Sequence, residues 1–219
     1  MEKKSGIYRI TNLKNQMVYI GKSIDIETRW KTHKRKLNQG NHINQALQEA
    51  WKIYGEESFT FEILIECDES EQGVIELENI FKYSPDVYNV VTWKDILRYE
   101  LMKKFKRYGL QVDIDYKDNE CITPKNNALK WALHLSLNNY EYFIDITSLG
   151  KDYEASEQSI EYDQIRDSFI SNNNKYGTMK IIYGIHDDEN VINEYIKYTR
   201  NETIKWFIKK GQSQHLKLW

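Results

Sequence analysis

The sequence predicts a mixed α/β (α+β) chain in two parts. The first is a small domain over residues 1–93, with a three-stranded antiparallel sheet flanked by helices; the second is a further α/β region over residues 94–219. Three observations carry this reading. Two short strand-like runs, Gly6–Thr11 and Met17–Gly21, flank a polar Asn12–Gln16 segment that suits a hairpin turn. Helical periodicities follow from about Asp25, with a third strand-like run at Ser58–Ile65. After about Trp93 a fresh alternation of strand and helix patterns begins.

Within the hairpin, period two sets the faces. Ile7 and Ile10 flank Tyr8 and Arg9, and Tyr19 lies between Val18 and Ile20. Tyr8 therefore points away from Ile7, and Tyr19 away from Val18 and Ile20, so the two phenols share a face. Ile26, Trp30 and His33 recur at helical spacing, and Arg29 and His33, four apart, share a helix face. Lys31, Lys34, Arg35 and Lys36 crowd the same segment and form the densest basic cluster of the first half, suited to contacting phosphates.

Gln39-Gly40-Asn41 reads as a helix stop. Asn44–Tyr54 reads as an amphipathic helix ended by Gly55. The run Ser58–Ile65 alternates and then turns fully apolar, which predicts a central strand. Gly73–Tyr83 reads as a helix with Val74, Leu77, Ile80 and Phe81 on its apolar side and Glu76 and Glu78 on different faces, stopped by Ser84-Pro85-Asp86. The order is thus β-β-α-α-β-α.

In the second part, Trp93–Arg107 is helical by pattern. Lys103, Lys104, Lys106 and Arg107 load its C-terminal end, where the helix dipole favours cations. Leu110–Tyr116, Glu141–Leu149 and Met179–Ile185 read as strands. Pro124 opens a predicted helix through Ala128, Leu129, Ala132 and Leu135; Ser159–Ser171 and Asn190–Lys210 are further predicted helices.

Composition narrows the function classes. The 219 residues are 40% hydrophobic and 29% charged, and the net charge of −2 excludes a protein that coats nucleic acid by bulk charge while allowing a local basic face. No apolar run reaches the ~20 residues of a transmembrane helix, and the start MEKKSGIY lacks a signal-peptide core. Cys67 and Cys121 form no paired metal motif, so a reducing cytoplasm is the expected compartment.

Gly6-Ile7-Tyr8 followed by Tyr19-Ile20-Gly21 resembles the signature of the GIY-YIG nuclease family. Arg29-Trp30 and His33 lie where that family has its helix arginine and histidine, and Ile75–Asn79 and Tyr88-Asn89 resemble its glutamate motif and closing Tyr-Asn. The likeness spans about Ser5–Val90. It implies a metal-dependent endonuclease hydrolysing phosphodiester bonds in DNA, of restriction, homing, phage or repair type. The alternatives are an inactive nucleic-acid-binding module of the same fold, or an RNA- or structure-specific nuclease.

By the same resemblance, Tyr8 is the general base or orients water, and Tyr19 hydrogen-bonds the scissile phosphate or the water. Arg29 stabilises the phosphorane charge, and His33 shares proton transfer or binds phosphate. Glu78 is the metal ligand, with Glu76 as the alternative two residues away. His42 resembles a further histidine of some members, and Asn89 is a site-holding or DNA-side residue. A phenol base needs a depressed pKa, and Lys22 is the cation expected to supply it from the neighbouring strand. A single carboxylate suits Mg²⁺ or Mn²⁺, which keep water ligands and take phosphate oxygens, whereas the histidines and cysteines show no zinc spacing. One such site cuts one strand, so double-strand cleavage would call for a homodimer or two sequential cuts. The region after Trp93 is expected to recognise DNA or to dimerise.

Overall fold

A computed structural model describes residues 3–148, 156–183 and 189–210. The chain divides into two compact units, Met1–Thr92 and Trp93–Trp219.

In the first unit, strand β1 (Gly6–Asn12) turns through a tight loop into β2 (Val18–Ser23). The loop closes through the Asn12 amide on Met17 O at 2.9 Å and the Gln16 amide on Asn12 O at 2.8 Å. Helix α1 (Ile26–Asn38) follows; the Asp25 side chain caps it by accepting from the Thr28 amide. Helix α2 (Gln45–Tyr54) is capped in the same way by Asn44, and Gly55, at φ 76°, ends it. A single 3-10 turn at Glu56–Ser58 leads into β3 (Phe59–Glu66), and α3 (Glu69–Tyr83) completes the unit.

The sheet order is β2-β1-β3, all antiparallel. This corrects the expectation of a central third strand: β1 is central, and β3 pairs only with it. The apolar run Ile63–Ile65 is covered unevenly, and Ile65 is 40% exposed.

The two faces of the sheet bury different things. Ile7, Val18 and Ile20 pack with Leu64, Ile75 and Ile80 on the α3 side. Tyr8 and Ile10 pack with Ile26, Leu37, Leu47 and Trp51 on the side of α1 and α2. Gly6 is required by the central position of β1: its φ is 152°, and a Cβ there would lie 2.0 Å from Ile65 O of β3.

The second unit runs α4 (Trp93–Lys106), β4 (Gln111–Ile122), β5 (Ala128–Leu137), β6 (Tyr140–Ser148), α5 (Glu157–Ser171), β7 (Tyr176–Tyr183) and α6 (Glu189–Lys209). Its sheet order is β4-β5-β6-β7, antiparallel except for the parallel β6–β7 pair that α5 connects. The predicted helix after Pro124 is the strand β5. Ala128, Leu129, Ala132 and Leu135 fit a helical stripe, but the segment is paired on both sides, by β4 and β6, and buries both of its faces. A doubly covered strand reads as a continuous apolar run, and period alone does not separate it from a buried helix. Leu149, Gly184 and Ile185, the ends of two predicted strands, lie outside the described residues. His134 is buried in this sheet, with Asp113 Oδ2 2.9 Å from its Nδ1 and Tyr116 stacked on it at 3.9 Å.

Candidate active site

The site is built on the hairpin face that carries the two tyrosines. Register places Tyr8 opposite Gly21 and Tyr19 opposite Ile10, so the phenols lie diagonally across β1 and β2. Gly21 leaves the space that the Tyr8 ring fills: a Cβ on it would stand 2.4 Å from Tyr8 Oη and 2.5 Å from its Cζ. Helix α1 lies over this face and brings His33 between the phenols, with ring centroids 5.7 Å from Tyr8 and 5.4 Å from Tyr19. Tyr8 Oη is 2.7 Å from His33 Nε2, and Arg29 Nε donates to the same oxygen at 3.4 Å.

A second imidazole joins from the loop before α2. His33 Nδ1 is 2.8 Å from His42 Nε2, and His42 Nδ1 lies against the Asn44 backbone. Gln48 anchors this loop by accepting from the His42 amide at 3.0 Å while donating to Leu37 O at 3.0 Å. Tyr8 has no exposed surface, and His33 and His42 keep 3% each. Tyr19 is half-buried and Arg29 exposed, so these two present the cluster to solvent.

Burial dominates the electrostatics. It pushes the Tyr8 and Tyr19 phenols up, and the Arg29 guanidinium opposes it only in part. It pushes His33 down to about 3, helped by the charges of Arg29 and Lys36, and lowers His42 in the same way. At neutral pH the cluster is two phenols and two neutral imidazoles beneath one guanidinium.

Lys22 does not do what the sequence suggested. Period two turns its side chain to the face of Ile20, opposite Gly21, where its Nζ pairs with Glu76 Oε2 at 3.2 Å. The Tyr8 phenol is raised, not depressed, with burial the main cause.

Glu76 and Glu78 of α3 are both half-buried, and Glu76 is the one that pairs with Lys22. The charge of Glu76 contributes to raising both Tyr8 and Tyr19, after burial. Two residues along an α-helix is a rotation of about 200°, and the packing of Val74, Leu77, Ile75 and Ile80 fixes which of the two turns towards β2.

The residues expected to touch DNA divide. Lys31, Lys34 and Arg35 are exposed on α1 and Lys36 is half-buried, although Lys34 is engaged by Glu56 at 3.2 Å. His42 is buried inside the cluster and is not part of an exposed contact face. Asn89 is committed to the fold, since its side chain accepts from Ile20 N and donates to Ile20 O, both at 2.8 Å. That bond pair extends the edge of β2, beside the Val18–Val87 bridge.

The depressed histidine predicts an acid-sensitive fold. His33 titrates near 6.5 when unfolded and at about 3 in the fold. Between those values the unfolded chain holds a proton that the folded chain excludes. The neutral ring is therefore free of cost above about pH 6.5 and destabilises progressively as pH falls towards 3. Between pH 7 and pH 4, wild type is expected to lose on the order of 3 kcal/mol more stability than His33→Gln, read from urea unfolding. Parallel losses in the two proteins would show that His33 is not held neutral by burial.

Residues 4–85 match the family model of the GIY-YIG catalytic domain. The chain is 40% identical over 78 residues to intron-associated endonuclease 1 of Enterobacteria phage T4. That match covers 36% of this chain and 31% of the relative, so the chain spans about a third of the relative's length. Among solved structures, the catalytic domain of homing endonuclease I-TevI is 34% identical and is covered in full by 41% of this chain, with a TM-score of 0.37. A mutant form of the catalytic domain of intron endonuclease I-TevI is 33% identical; 40% of this chain covers 94% of it, with a TM-score of 0.38.

A mixed α/β domain with a tyrosine hairpin, a helix arginine and glutamates on α3, matched by a catalytic-domain family model, is thus a nuclease-type catalytic module. Residues 4–85 of this chain belong to the GIY-YIG family.

Proposed function

We propose that the chain is a divalent-metal-dependent endonuclease that hydrolyses phosphodiester bonds in DNA. The observation that supports this most is the convergence of Arg29, Tyr8, Tyr19 and His33 on one face of the hairpin, with the charge of Glu76 reaching both phenols. Phosphoryl transfer asks for charge complementary to a pentavalent phosphate and for handling of the water's proton.

Arg29 is exposed and carries the donors for two phosphate oxygens at once. Tyr19, the more accessible phenol, hydrogen-bonds the phosphate or the water. Tyr8 and His33 lie beneath and take part in proton movement. Lys31, Arg35 and Lys36 lead the flanking phosphates onto α1. The C-terminal unit supplies DNA recognition or a dimer contact, and the Lys103–Arg107 end of α4 is one candidate for that surface, although Lys103 is engaged by Glu100 at 3.1 Å.

The residues present fit a hard divalent cation. Among the described residues no three histidine, cysteine or acidic side chains cluster as a metal centre, which excludes a closed protein cage there. Glu78 is the proposed carboxylate ligand, on the resemblance of Ile75–Asn79 to the family's glutamate motif, with Glu76, held by the Lys22 ammonium, as the alternative. One carboxylate with water and phosphate oxygens is the ligand pattern of Mg²⁺, and of Mn²⁺ by the same donor chemistry. When bound, the ion supplies positive charge at the phosphate and a more acidic water.

The test is incubation of the purified full chain with supercoiled plasmid and Mg²⁺, with and without EDTA, beside the fragment of residues 1–92. We expect nicked or linear product that EDTA abolishes, and a fragment that folds and cuts but binds plasmid more weakly. Intact plasmid at every protein and metal concentration would defeat the nuclease reading. A fragment that bound as tightly as the full chain would remove the C-terminal unit from DNA recognition.

A further inference from the structure

Tyr8, His33, His42 and Asn44 form one continuous buried chain of hydrogen-bonding groups, and its direction follows from where each proton has an acceptor. Tyr8 is fully buried, so its hydroxyl hydrogen needs a protein acceptor. Two groups touch the oxygen. Arg29 Nε only donates, which leaves His33 Nε2 at 2.7 Å as the acceptor. That distance also suits an O–H donor better than an N–H donor.

His33 then carries its hydrogen on Nδ1 and donates to His42 Nε2 at 2.8 Å. His42 in turn carries its hydrogen on Nδ1, with the Asn44 carbonyl oxygen at 3.3 Å as acceptor. The Asn44 amide lies at 3.1 Å from the same nitrogen and would favour the opposite direction. It loses because of location. Reversal would strand the phenolic hydrogen in a residue with no exposed surface, at about 1–3 kcal/mol, whereas Asn44 is half-buried and its amide can meet water.

We propose that His33 and His42 are a two-imidazole relay that draws the Tyr8 proton inward, towards the Asn44 carbonyl, so that the Tyr8 oxygen can take a proton from the attacking water. This deepens the nuclease reading and rests on it. Arg29 covers the Tyr8 oxygen in the free protein and has exposed surface of its own; when it turns to a phosphate it uncovers that oxygen.

The water oxygen then bonds to phosphorus and its proton passes to Tyr8 Oη. The phenolic proton passes to His33 Nε2, and the His33 Nδ1 proton passes to His42 Nε2. The P–O bond to the leaving oxygen breaks, that oxygen takes its proton from solvent, and His42 is left as imidazolium. His33 stays neutral throughout. The positive charge rests on His42, whose Nδ1–H faces a carbonyl. The Arg29 charge that disfavours this imidazolium is countered by the phosphate it has engaged. His42 touches no substrate and is a positioning residue of this relay.

Two measurements on the full chain test the relay. Long-range ¹H–¹⁵N spectra of the free protein should show both His33 and His42 as Nδ1–H tautomers, the minor form of a free imidazole. An Nε2–H tautomer at His33 would reverse the chain and overturn the proposal, whether or not the protein cuts DNA. Single-turnover plasmid cleavage in H₂O/D₂O mixtures should give a curved rate dependence, from more than one proton in flight.

His42→Phe keeps the ring that packs edge-on to Tyr19 but cannot carry a proton. It should slow cleavage by on the order of 10²-fold and make the dependence linear. His42→Gln, which restores a hydrogen bond but not proton transfer, should also be linear. A slow His42→Phe with undiminished curvature would mean that His42 only supports the fold, and wild-type rate with unchanged curvature would remove it from the reaction. Failure of wild type to cut at all would defeat the nuclease reading, while the tautomers still report the direction of the chain.

Discussion

Glu78→Gln is expected to abolish plasmid cleavage, by roughly 10³-fold or more, while Glu76→Gln retains more of it. Each substitution keeps the shape of the side chain and removes the charge. Glu78 is the proposed metal ligand, whereas Glu76 is held by Lys22 Nζ at 3.2 Å, on the face of β2 away from the phenols. Loss of that partly exposed ion pair in Glu76→Gln costs about 0–1 kcal/mol, so its melting temperature should barely move. Calorimetric titration with Mg²⁺ should show weakened binding by Glu78→Gln and unchanged binding by Glu76→Gln. If Glu76→Gln were the inactive variant and Glu78→Gln the active one, the ligand would be Glu76.

The second large effect is expected at a residue with no side chain. Gly21→Ala should reduce cleavage by about 10²-fold or more, and destabilise by roughly 1–3 kcal/mol. The added methyl would stand 2.4 Å from Tyr8 Oη and 2.5 Å from its Cζ, well inside van der Waals contact. Tyr8 is fully buried among Ile26, Leu37 and the ring of Trp30, so it cannot simply swing into solvent. Either the ring shifts and breaks the 2.7 Å bond to His33, or β2 separates from β1. The strain is local to the hairpin, so DNA binding by the α1 face should persist in a gel-shift assay. An active Gly21→Ala protein would mean that the position of Tyr8 is not critical.

Both expectations show how the site divides between local and distant information. The hairpin was legible because period two is a property of consecutive residues. Alternation alone set Tyr8 and Tyr19 on one face and Ile7, Val18 and Ile20 on the other, as their packing shows. The i, i+4 spacing of Arg29 and His33 likewise set both on the face of α1 that meets Tyr8. Periodicity likewise placed the helix starts near Asp25 and Asn44, whose side chains cap the two helices by accepting from amides three residues on.

The sequence by itself therefore determined the order β-β-α-α-β-α of the first unit, the shared face of the phenols, and the helix that carries the arginine and the histidine. Tertiary structure alone decided the rest, wherever two local patterns are degenerate or a partner lies far along the chain. Both glutamates of α3 satisfy the helical pattern, and the packing of its apolar side against β2 decides that Glu76 meets Lys22. Lys22 follows Gly21 directly, yet the pleat sends it to the opposite face, where a residue 54 positions away holds it. His42 gave no signal of burial, because what buries it is the return of α2 against α1, anchored by Gln48 on Leu37 O. The Ala128–Leu137 segment fits a helix and a doubly covered strand equally well, and pairing on both edges, by β4 and β6, settled it as a strand. Burial has the same character: the phenols are raised and His33 is lowered because three elements close over them, and no window of sequence contains all three.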